Sequence, residues 1–337
     1  MGPLPTLAAA SAGGAMLAAA GLPLGWVLGA LLGAAVVGNL LDPTGDGRWT
    51  RRAGQLVIGT ATAAVLTPEI LRDLAQALPL MVLAAVAANL AALALVRPFG
   101  WIAGVDRTTA LLSVLPAGLA EMAGLAQERG ARADVVTVTH TIRVTLVVLA
   151  VPLALGVTGA VPPPTPEGGS AAALAACLAI AAALALLARR LGMLSPWIVV
   201  PLLTGAAFAV VGVRMAAMPG PLVAGAQVAI GAALGARLRI ETFRRLPRTV
   251  VAAVVSTAAL SAVLLGGVAP LVARSLGLDA VTATLALAPG GLGEMIAAAR
   301  SLHVAVPAVV GFHFVRSLIT NLAAPWLAGR GETPPGF

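Results

Sequence analysis

The sequence predicts an all-α polytopic membrane protein built from two repeats of inverted topology, each containing a broken or re-entrant helix. Hydrophobic residues make up 59% of the 337 residues, whereas charged residues make up only 10%. The mean hydropathy is +0.99, and soluble domains carry about 25% charged residues. Apolar runs of about 20 residues, the length that a bilayer requires, separate short charged clusters. Rare polar residues also recur along the chain.

This recurrence indicates a duplication, because the recurring residues keep a nearly constant offset. The sequence therefore divides into a first membrane repeat at 1–160, a Pro/Gly-rich linker at 161–170 and a second membrane repeat at 171–330. The recurring pairs are Gln55 and Gln227, Gly59 and Gly231, Glu69 and Glu241, Asp106 and Asp279, Pro116 and Pro289, Glu121 and Glu294, His140 and His313, Arg143 and Arg316, and Pro152 and Pro325.

Each predicted repeat contains six hydrophobic segments. Residues 4–20 follow no basic leader region, so we expect them to form a first span rather than a cleaved signal peptide. The segments are 4–20, 22–41, 54–71, 75–96, 107–129 and 134–158 in the first repeat, and 171–188, 195–213, 222–238, 249–273, 280–301 and 305–328 in the second.

The fifth segment of each repeat is interrupted. LPAGLAEM (115–122) breaks the first, and APGGLGEM (288–295) breaks the second. Proline removes a backbone donor and glycine lets the chain turn. One interpretation is a simple proline kink. The other is a broken or re-entrant helix, which a membrane tolerates only where protein or water satisfies the exposed backbone.

Arginine placement favours the re-entrant alternative. If each broken segment enters and leaves on one side, the clusters at 48–52, 189–190 and 237–248 all become cytoplasmic, together with both termini. If all six segments span, 189–190 falls outside, which fits worse. Five crossings per repeat would invert the second repeat. The abundance of Ala, Gly and Arg suggests a GC-rich bacterial genome, and hence the bacterial inner membrane.

Ionisable residues inside the bilayer are candidates for function because they are costly. Glu121 and Glu294 follow the breaks, near half-helix N-termini that favour anions. His140 and Arg143 share one helix face, as do His313 and Arg316 in the second repeat. The remaining candidates for substrate or ion binding are Pro116, Gly118, Pro289, Gly290 and Gly291 at the breaks, with Gln55 and Gln227 as secondary candidates.

Each of these candidates has a structural alternative. The acid and the arginine of one repeat could form a buried pair that only fixes the fold. The histidines could carry protons for coupling, since histidine titrates near neutral pH, or they could be hydrogen-bonded packing residues.

Several classes of function are disfavoured. The net charge of +8 suggests nucleic-acid binding, but the arginines lie at loop ends, and no soluble segment is long enough for a helix-turn-helix. The three histidines include no i, i+4 pair, and Cys177 is alone. We therefore expect no metal site, no cofactor, no nucleic-acid partner and no enzymatic activity.

The chain resembles the AbrB-type membrane family. The resemblance rests on the GQ-x-x-IG-like helices at 54–59 and 226–231, the proline-glycine breaks ending in Glu-Met, and the H-x-x-R helices. It implies a polytopic protein related to transporters, although the family name reflects a regulator-like role and relatives are often labelled ammonia monooxygenases. The first break reads PAGLAE and the second PGGLGE, which suggests unequal roles.

Taken together, these features predict a secondary transporter of a small polar or anionic solute. No P-loop is present, so coupling would use H+ or Na+. Its partners would be the lipid bilayer, the solute and the coupling ion, and the sequence leaves a homodimer open. The alternatives are a membrane-bound monooxygenase-like subunit and a regulatory membrane protein without transport.

Overall fold

The computed structural model describes residues 4–22, 24–41, 48–154, 168–193 and 195–329, without the side chains of residues 152–154. Most of the predicted linker at 161–170 and the end of the segment at 134–158 lie outside the described residues. The first eight helices are α1 (Leu4–Ala19), α2 (Gly25–Leu41), α3 (Arg48–Ala63), α4 (Pro68–Ala94), α5 (Val96–Ala103), α6 (Arg107–Val114), α7 (Leu119–Glu128) and α8 (Ala133–Ala154).

The remaining helices begin after the predicted linker. Between α13 and α14, a π-helical turn at Ala262–Val268 keeps the chain helical. They are α9 (Ala171–Arg190), α10 (Pro196–Val210), α11 (Gly220–Gly235), α12 (Ile240–Arg245), α13 (Pro247–Ser261), α14 (Ala269–Leu276), α15 (Ala280–Leu287), α16 (Leu292–Ser301) and α17 (Val306–Leu327).

The predicted all-α membrane class is confirmed. No strand occurs among the described residues; the single isolated bridge joins Ser170 and Met215. Six helical stretches in this part of the chain are long and apolar enough to cross a bilayer. They are Pro68–Ala103, Ala133–Val151, Ala171–Arg190, Gly220–Arg245, Pro247–Leu276 and Val306–Leu327.

The third and fourth predicted segments have different bounds in the structure. The sequence assigned residues 54–71 to one segment, whereas α3 ends at Ala63 and α4 already begins at Pro68. Thr67 explains the early start of α4, because its Oγ1 accepts a hydrogen bond from Ile70 N at 3.3 Å and so caps the helix. Pro68 follows in the first helical position, where its missing N–H costs nothing.

The described chain forms two compact units, each of which combines segments from both predicted repeats. The first unit, unit 1, comprises Met1–Leu78, Val148–Arg239 and Gly293–Val310. Within it α1 packs on α2, α2 on α11, α11 on α3, α3 on α10, and α10 on α9. Glycines permit the close approach of α1 and α2, because a Cβ at Gly29 would overlap the carbonyl oxygen of Gly13.

The second unit, unit 2, comprises Pro79–Val147, Ile240–Leu292 and Gly311–Phe337. Within it α5 packs on α6 and α13, α6 on α7, and α14 on α15. Its core includes the fully buried side chains of Phe99, Leu111, Leu112, Leu115 and Met122. Leu115 is the first residue of the break that follows α6, so the break is anchored in this core. The division into repeats at 1–160 and 171–330 stays a prediction.

Candidate functional site

The first break separates α6 from α7 by four non-helical residues. Leu115 leaves the helical region with ψ at 133°, and Pro116 has no N–H to continue the helix. The chain re-enters a helix at Gly118, which is the N-cap of α7 and makes no side-chain capping bond. Pro116 is buried and Gly118 is half-buried. The prediction of an interruption, rather than a simple kink, is therefore confirmed.

Arg143, on α8, holds the end of α6. Its Nη1 donates to the carbonyl oxygen of Val114 at 3.0 Å, and its Nη2 donates to that of Leu115 at 3.0 Å. A third, longer contact of 3.4 Å reaches Ser113 O. The last carbonyls of a helix have no partner within the helix and carry its partial negative charge. A guanidinium satisfies both needs, so Arg143 stabilises the broken end although it is only 3% exposed.

His140 fixes the orientation of this arginine. Its Nε2 lies 2.9 Å from Leu112 O, and its Nδ1 lies 2.9 Å from Arg143 Nη2. Arginine can only donate, so Nδ1 accepts and Nε2 carries the proton that it donates to the carbonyl. A second proton on Nδ1 would break the bond with Arg143 and face its positive charge. This geometry favours the hydrogen-bonded packing role over proton coupling.

The second break repeats these contacts between α15 and α16. Arg316 Nη1 donates to Ala288 O at 2.7 Å, and its Nη2 donates to Gly290 O at 2.8 Å. The Nη2 atom also lies 3.0 Å from His313 Nδ1. His313 Nε2 in turn lies 2.8 Å from Leu285 O. A guanidinium from the following long helix therefore holds this break as well.

The residues of the second break are largely enclosed. Pro289 and Gly290 are buried, and Gly291 is half-buried at the point where α16 is about to begin. Gly290 N donates to Ala288 O at 2.8 Å, which closes a tight turn. Both breaks belong to unit 2. The arginines that hold them interact electrostatically with each other, so two buried positive charges share one region of this unit.

These bonds change the expected role of the arginines. The sequence suggested that Arg143 would meet Glu121 and that Arg316 would meet Glu294. The hydrogen bonds found for both arginines instead go to backbone carbonyls and to a histidine. The physical reason is that buried carbonyls at a helix end have no partner within the helix, and the guanidinium groups supply the donors that they need.

Glu294 has a different cationic partner. Its Oε1 accepts a hydrogen bond from Arg51 Nη2 at 2.8 Å, and both residues belong to unit 1. Arg237, two residues beyond α11, interacts electrostatically with both of them. The Glu294 side chain is 3% exposed and that of Arg51 26%. The second carboxylate oxygen, Oε2, is buried and has no hydrogen-bond partner among the described residues.

Arg51 and Arg237 were not predicted as site residues; their clusters at 48–52 and 237–248 indicated only topology. One signal was present: Arg51 precedes Gln55 by four residues, so both lie on one face of α3. Arg237 had no comparable signal, because its proximity to Glu294 depends on the packing of distant segments.

Glu121 lies in a setting unlike that of Glu294. It is half-buried, and its carboxylate folds back over the start of α7, where it would overlap a Cβ at Gly118. Glu121 is the third residue after this N-cap, the position from which a glutamate reaches back to the first N–H groups of a helix. The two acids that the sequence paired therefore have different surroundings, in line with the difference between PAGLAE and PGGLGE.

The two predicted glutamines both lie against α16 within unit 1. Gln55 is buried, and its Nε2 lies 3.1 Å from the position that a Cβ would take at Gly293, next to Glu294. Gln227 is buried as well, and its Nε2 donates to Ser301 Oγ at 2.8 Å. One amide thus lies at the start of α16 and the other at its end.

Metal-ligating residues are dispersed in the part of the chain that the structure describes. No group of three His, Cys, Asp or Glu side chains comes together there in a way that could hold a metal ion. Cys177 is fully buried in α9 among Ala61, Ala63 and Leu174. Cys177 is therefore a core residue of unit 1.

Two comparisons bear on the family. Residues 26–330 match the AbrB family, which is described as "Transition state regulatory protein AbrB". The chain is also 26% identical over 354 aligned positions to a Bacillus subtilis (strain 168) protein described as "Uncharacterized protein YhjN". That alignment covers 95% of this chain and 90% of the relative. The matched region contains both breaks and both H-x-x-R helices, and the chain belongs to the AbrB family of membrane proteins.

Proposed function

We propose that this protein is a secondary transporter of a small polar or anionic solute, coupled to H+ or Na+, rather than an enzyme. The observation that carries the proposal is the pair of helix breaks in unit 2, each held by a buried arginine. Irregular backbone inside a bilayer is tolerated where it lines a cavity or is enclosed by protein. Discontinuous helices are a common feature of secondary transporters.

The cost of these features supports a functional role. A charged side chain at the centre of a membrane helix costs about 2.5–3.5 kcal/mol on insertion scales. The chain bears this insertion cost at both Arg143 and Arg316. Two uninterrupted helices would have no exposed carbonyls at a break and would need neither arginine. A protein whose only task was to span the membrane would gain stability from losing both breaks.

The charges favour an anionic solute. Arg143 and Arg316 are buried, interact electrostatically and donate to carbonyls, which carry only partial negative charge. Their region of unit 2 is therefore electropositive, and it includes the N-terminus of α7, whose N–H groups also favour anions. Glu121 and Glu294 are the proposed acids for the coupling ion.

The proposed topology rests on the recurring contacts. His140 and Arg143 bond carbonyls of α6 and Leu115, and His313 and Arg316 bond the corresponding carbonyls near the end of α15. We attribute this recurrence to an internal duplication, with the second repeat inverted relative to the first. The arginine distribution supports a bacterial inner-membrane location with both termini cytoplasmic.

A regulatory membrane protein without transport is the second candidate. It is favoured by the description of the matched family as a transition state regulatory protein. The two candidates differ in whether the buried charges act on a moving solute. A regulator would keep its function when the fold is retained but flux is abolished.

Reconstitution into liposomes tests the proposal. Purified protein is placed in vesicles that contain a pH-sensitive or a sodium-sensitive dye, and a panel of amino acids, carboxylates and inorganic anions is added outside. We expect at least one solute to drive protein-dependent flux of H+ or Na+. Arg316→Lys, which loses the two-pronged bond to the break, should reduce this flux strongly. Arg274→Lys, at an exposed position of α14, is the matched control and should not. Absence of flux for every solute would refute the proposal.

A further inference from the structure

The last turn of α9, in unit 1, carries two exposed arginines, Arg189 and Arg190. In the part of the chain that the structure describes, neither side chain forms an ion pair or a hydrogen bond. The C-terminal end of a helix carries about half a unit of negative charge. Two full positive charges exceed this amount, so this end of α9 keeps a net positive charge.

Arg189 lies against the aromatic ring of Trp49, in the first turn of α3. Its Cζ is 5.5 Å from the ring centroid, and the Cζ of Arg52 is 4.7 Å from the same centroid. Trp197 on α10 supports this ring from the side, with the two ring centroids 5.9 Å apart and their planes at 75°. A stacked guanidinium keeps the N–H groups at its edges available for an oxyanion. The stacking therefore orients Arg189 as a donor before any ligand arrives.

Bulky apolar side chains line the exposed face of α9 beside these arginines. Their spacings of four, three and four residues place them on one side of the helix. They are Ile180, Leu184, Leu187 and Leu191, all exposed by more than 40%. The exposed residues of α9 before Ile180 are all alanines, so the bulky side chains are confined to the half that ends at the arginines. We call these four residues the apolar stripe.

The length of the apolar stripe matches one leaflet of a bilayer. Eleven residues separate its first and last members, which gives about 16 Å at about 1.5 Å per residue. Half of a hydrocarbon core of about 30 Å is about 15 Å. Arg190 follows Leu187 by three residues and so lies on the same side of the helix. The surface thus joins an apolar strip one leaflet deep to a positively charged end.

We propose that this surface, formed by Trp49, Arg189, Arg190 and the apolar stripe, binds one anionic phospholipid of the phosphatidylglycerol class. The lipid phosphate accepts hydrogen bonds from the guanidinium groups, and an acyl chain lies along the stripe. Basic clusters beside the ends of membrane helices recognise anionic lipid headgroups. A free phosphate would use only the charged end of the surface. A zwitterionic lipid carries its own cation beside the phosphate and gains less from the two arginines.

Lipid binding to the purified full-length protein in mild detergent tests the proposal, with native mass spectrometry as the measurement. The probes are phosphatidylglycerol, phosphatidylcholine with the same acyl chains, and glycerol phosphate as the free headgroup. We expect one phosphatidylglycerol to bind at least about tenfold more tightly than phosphatidylcholine. Glycerol phosphate should not displace it, because it cannot contact the apolar stripe.

A pair of double variants separates this surface from the overall charge. Arg189→Gln/Arg190→Gln should weaken phosphatidylglycerol binding about 30-fold, since each basic residue near an anionic lipid contributes about 1 kcal/mol. Arg72→Gln/Arg214→Gln removes the same number of exposed arginines from unit 1, at a place where both interact with Glu69. This control should bind phosphatidylglycerol like the unmodified protein. All four arginines are exposed, so both variants should keep the helical circular-dichroism signal.

Two further variants test the aromatic and apolar parts of the surface. Trp49→Leu removes the ring on which Arg189 is stacked and should weaken phosphatidylglycerol binding about two- to fivefold. Trp49→Phe keeps an aromatic face and should recover part of this loss. Leu184→Ala/Leu187→Ala shortens the apolar stripe without disfavouring the helix and should weaken binding at least about twofold.

Four results would each overturn the proposal. They are equal binding of the two lipids, unchanged phosphatidylglycerol binding in Arg189→Gln/Arg190→Gln, an equal loss in the Arg72→Gln/Arg214→Gln control, and displacement by glycerol phosphate, which would indicate a site for a free phosphate. The measurement requires neither the proposed solute nor its coupling ion. A failure of the transport proposal would therefore leave this lipid site standing, and the loss of the lipid site would leave transport untouched.

Discussion

Replacing Arg143 by Met should destabilise the protein by leaving the end of α6 without donors. The substitution keeps an unbranched side chain of intermediate length but removes the bonds to Val114 O and Leu115 O, both 3.0 Å long. A buried acceptor left without a partner costs about 1–3 kcal/mol. Two such acceptors give about 2–6 kcal/mol, a large part of a typical total stability of 5–15 kcal/mol. Removing the buried charge offsets part of this loss.

The assay is thermal unfolding in detergent, followed by circular dichroism at the helical band. At about 1–2 °C per kcal/mol for a chain of 337 residues, the midpoint should fall by several degrees. Arg274→Met removes an exposed arginine of α14 and should leave the midpoint nearly unchanged. If Arg143→Met unfolds at the same temperature as the unmodified protein, Arg143 does not hold the break, and the carbonyls at the end of α6 do not need its donors.

Three further substitutions test other local features. Gly118→Ala should destabilise α7, because alanine is a poorer N-cap residue than glycine and the new methyl group displaces the Glu121 carboxylate from the start of the helix. Gly124→Ala meets only open space and should be neutral or stabilising by about 0.5–1 kcal/mol; thermal midpoints compare the two. Gly29→Ala should separate α1 from α2 and lower the midpoint, while Gly38→Ala on the same helix should not; equal midpoints would contradict the close packing. Asp279→Ala removes the N-cap of α15 and should cost about 0.5–2 kcal/mol in the same assay, and an unaltered midpoint would show that the cap is dispensable.

The fold class could be predicted from the sequence because the thickness of the bilayer sets the length of hydrophobic runs in a membrane protein. Both helix interruptions could be predicted as well, since proline and glycine act on the backbone locally. The boundary between α3 and α4 could not, because the apolar pattern continues to residue 71, whereas α4 already begins at Pro68 and carries the polar residues Arg72 and Asp73 in its first turns. Likewise, the predicted span at 249–273 contains the π-helical turn at 262–268, and no residue type in the sequence predicts such a turn.

Only part of the candidate site could be predicted from the sequence. The sequence identified His140, Arg143, His313 and Arg316 as buried polar residues, and the structure buries all of them. Their partners could not be identified, because backbone carbonyls look the same at every position in a sequence. The pairing of Arg51 with Glu294 joins residues that are far apart in the chain, and only tertiary packing brings them together.

The arginine that holds the first break has a consequence for how the chain enters the membrane. Arg143 follows its carbonyl partners by 28 to 30 residues in the sequence. The end of α6 is therefore synthesised before the arginine that donates hydrogen bonds to it. Hydrocarbon cannot supply donors to these carbonyls in the meantime. We therefore expect α6, α7 and α8 to remain at the insertion machinery until α8 is complete. The three helices should then move into the lipid together, as one preassembled group.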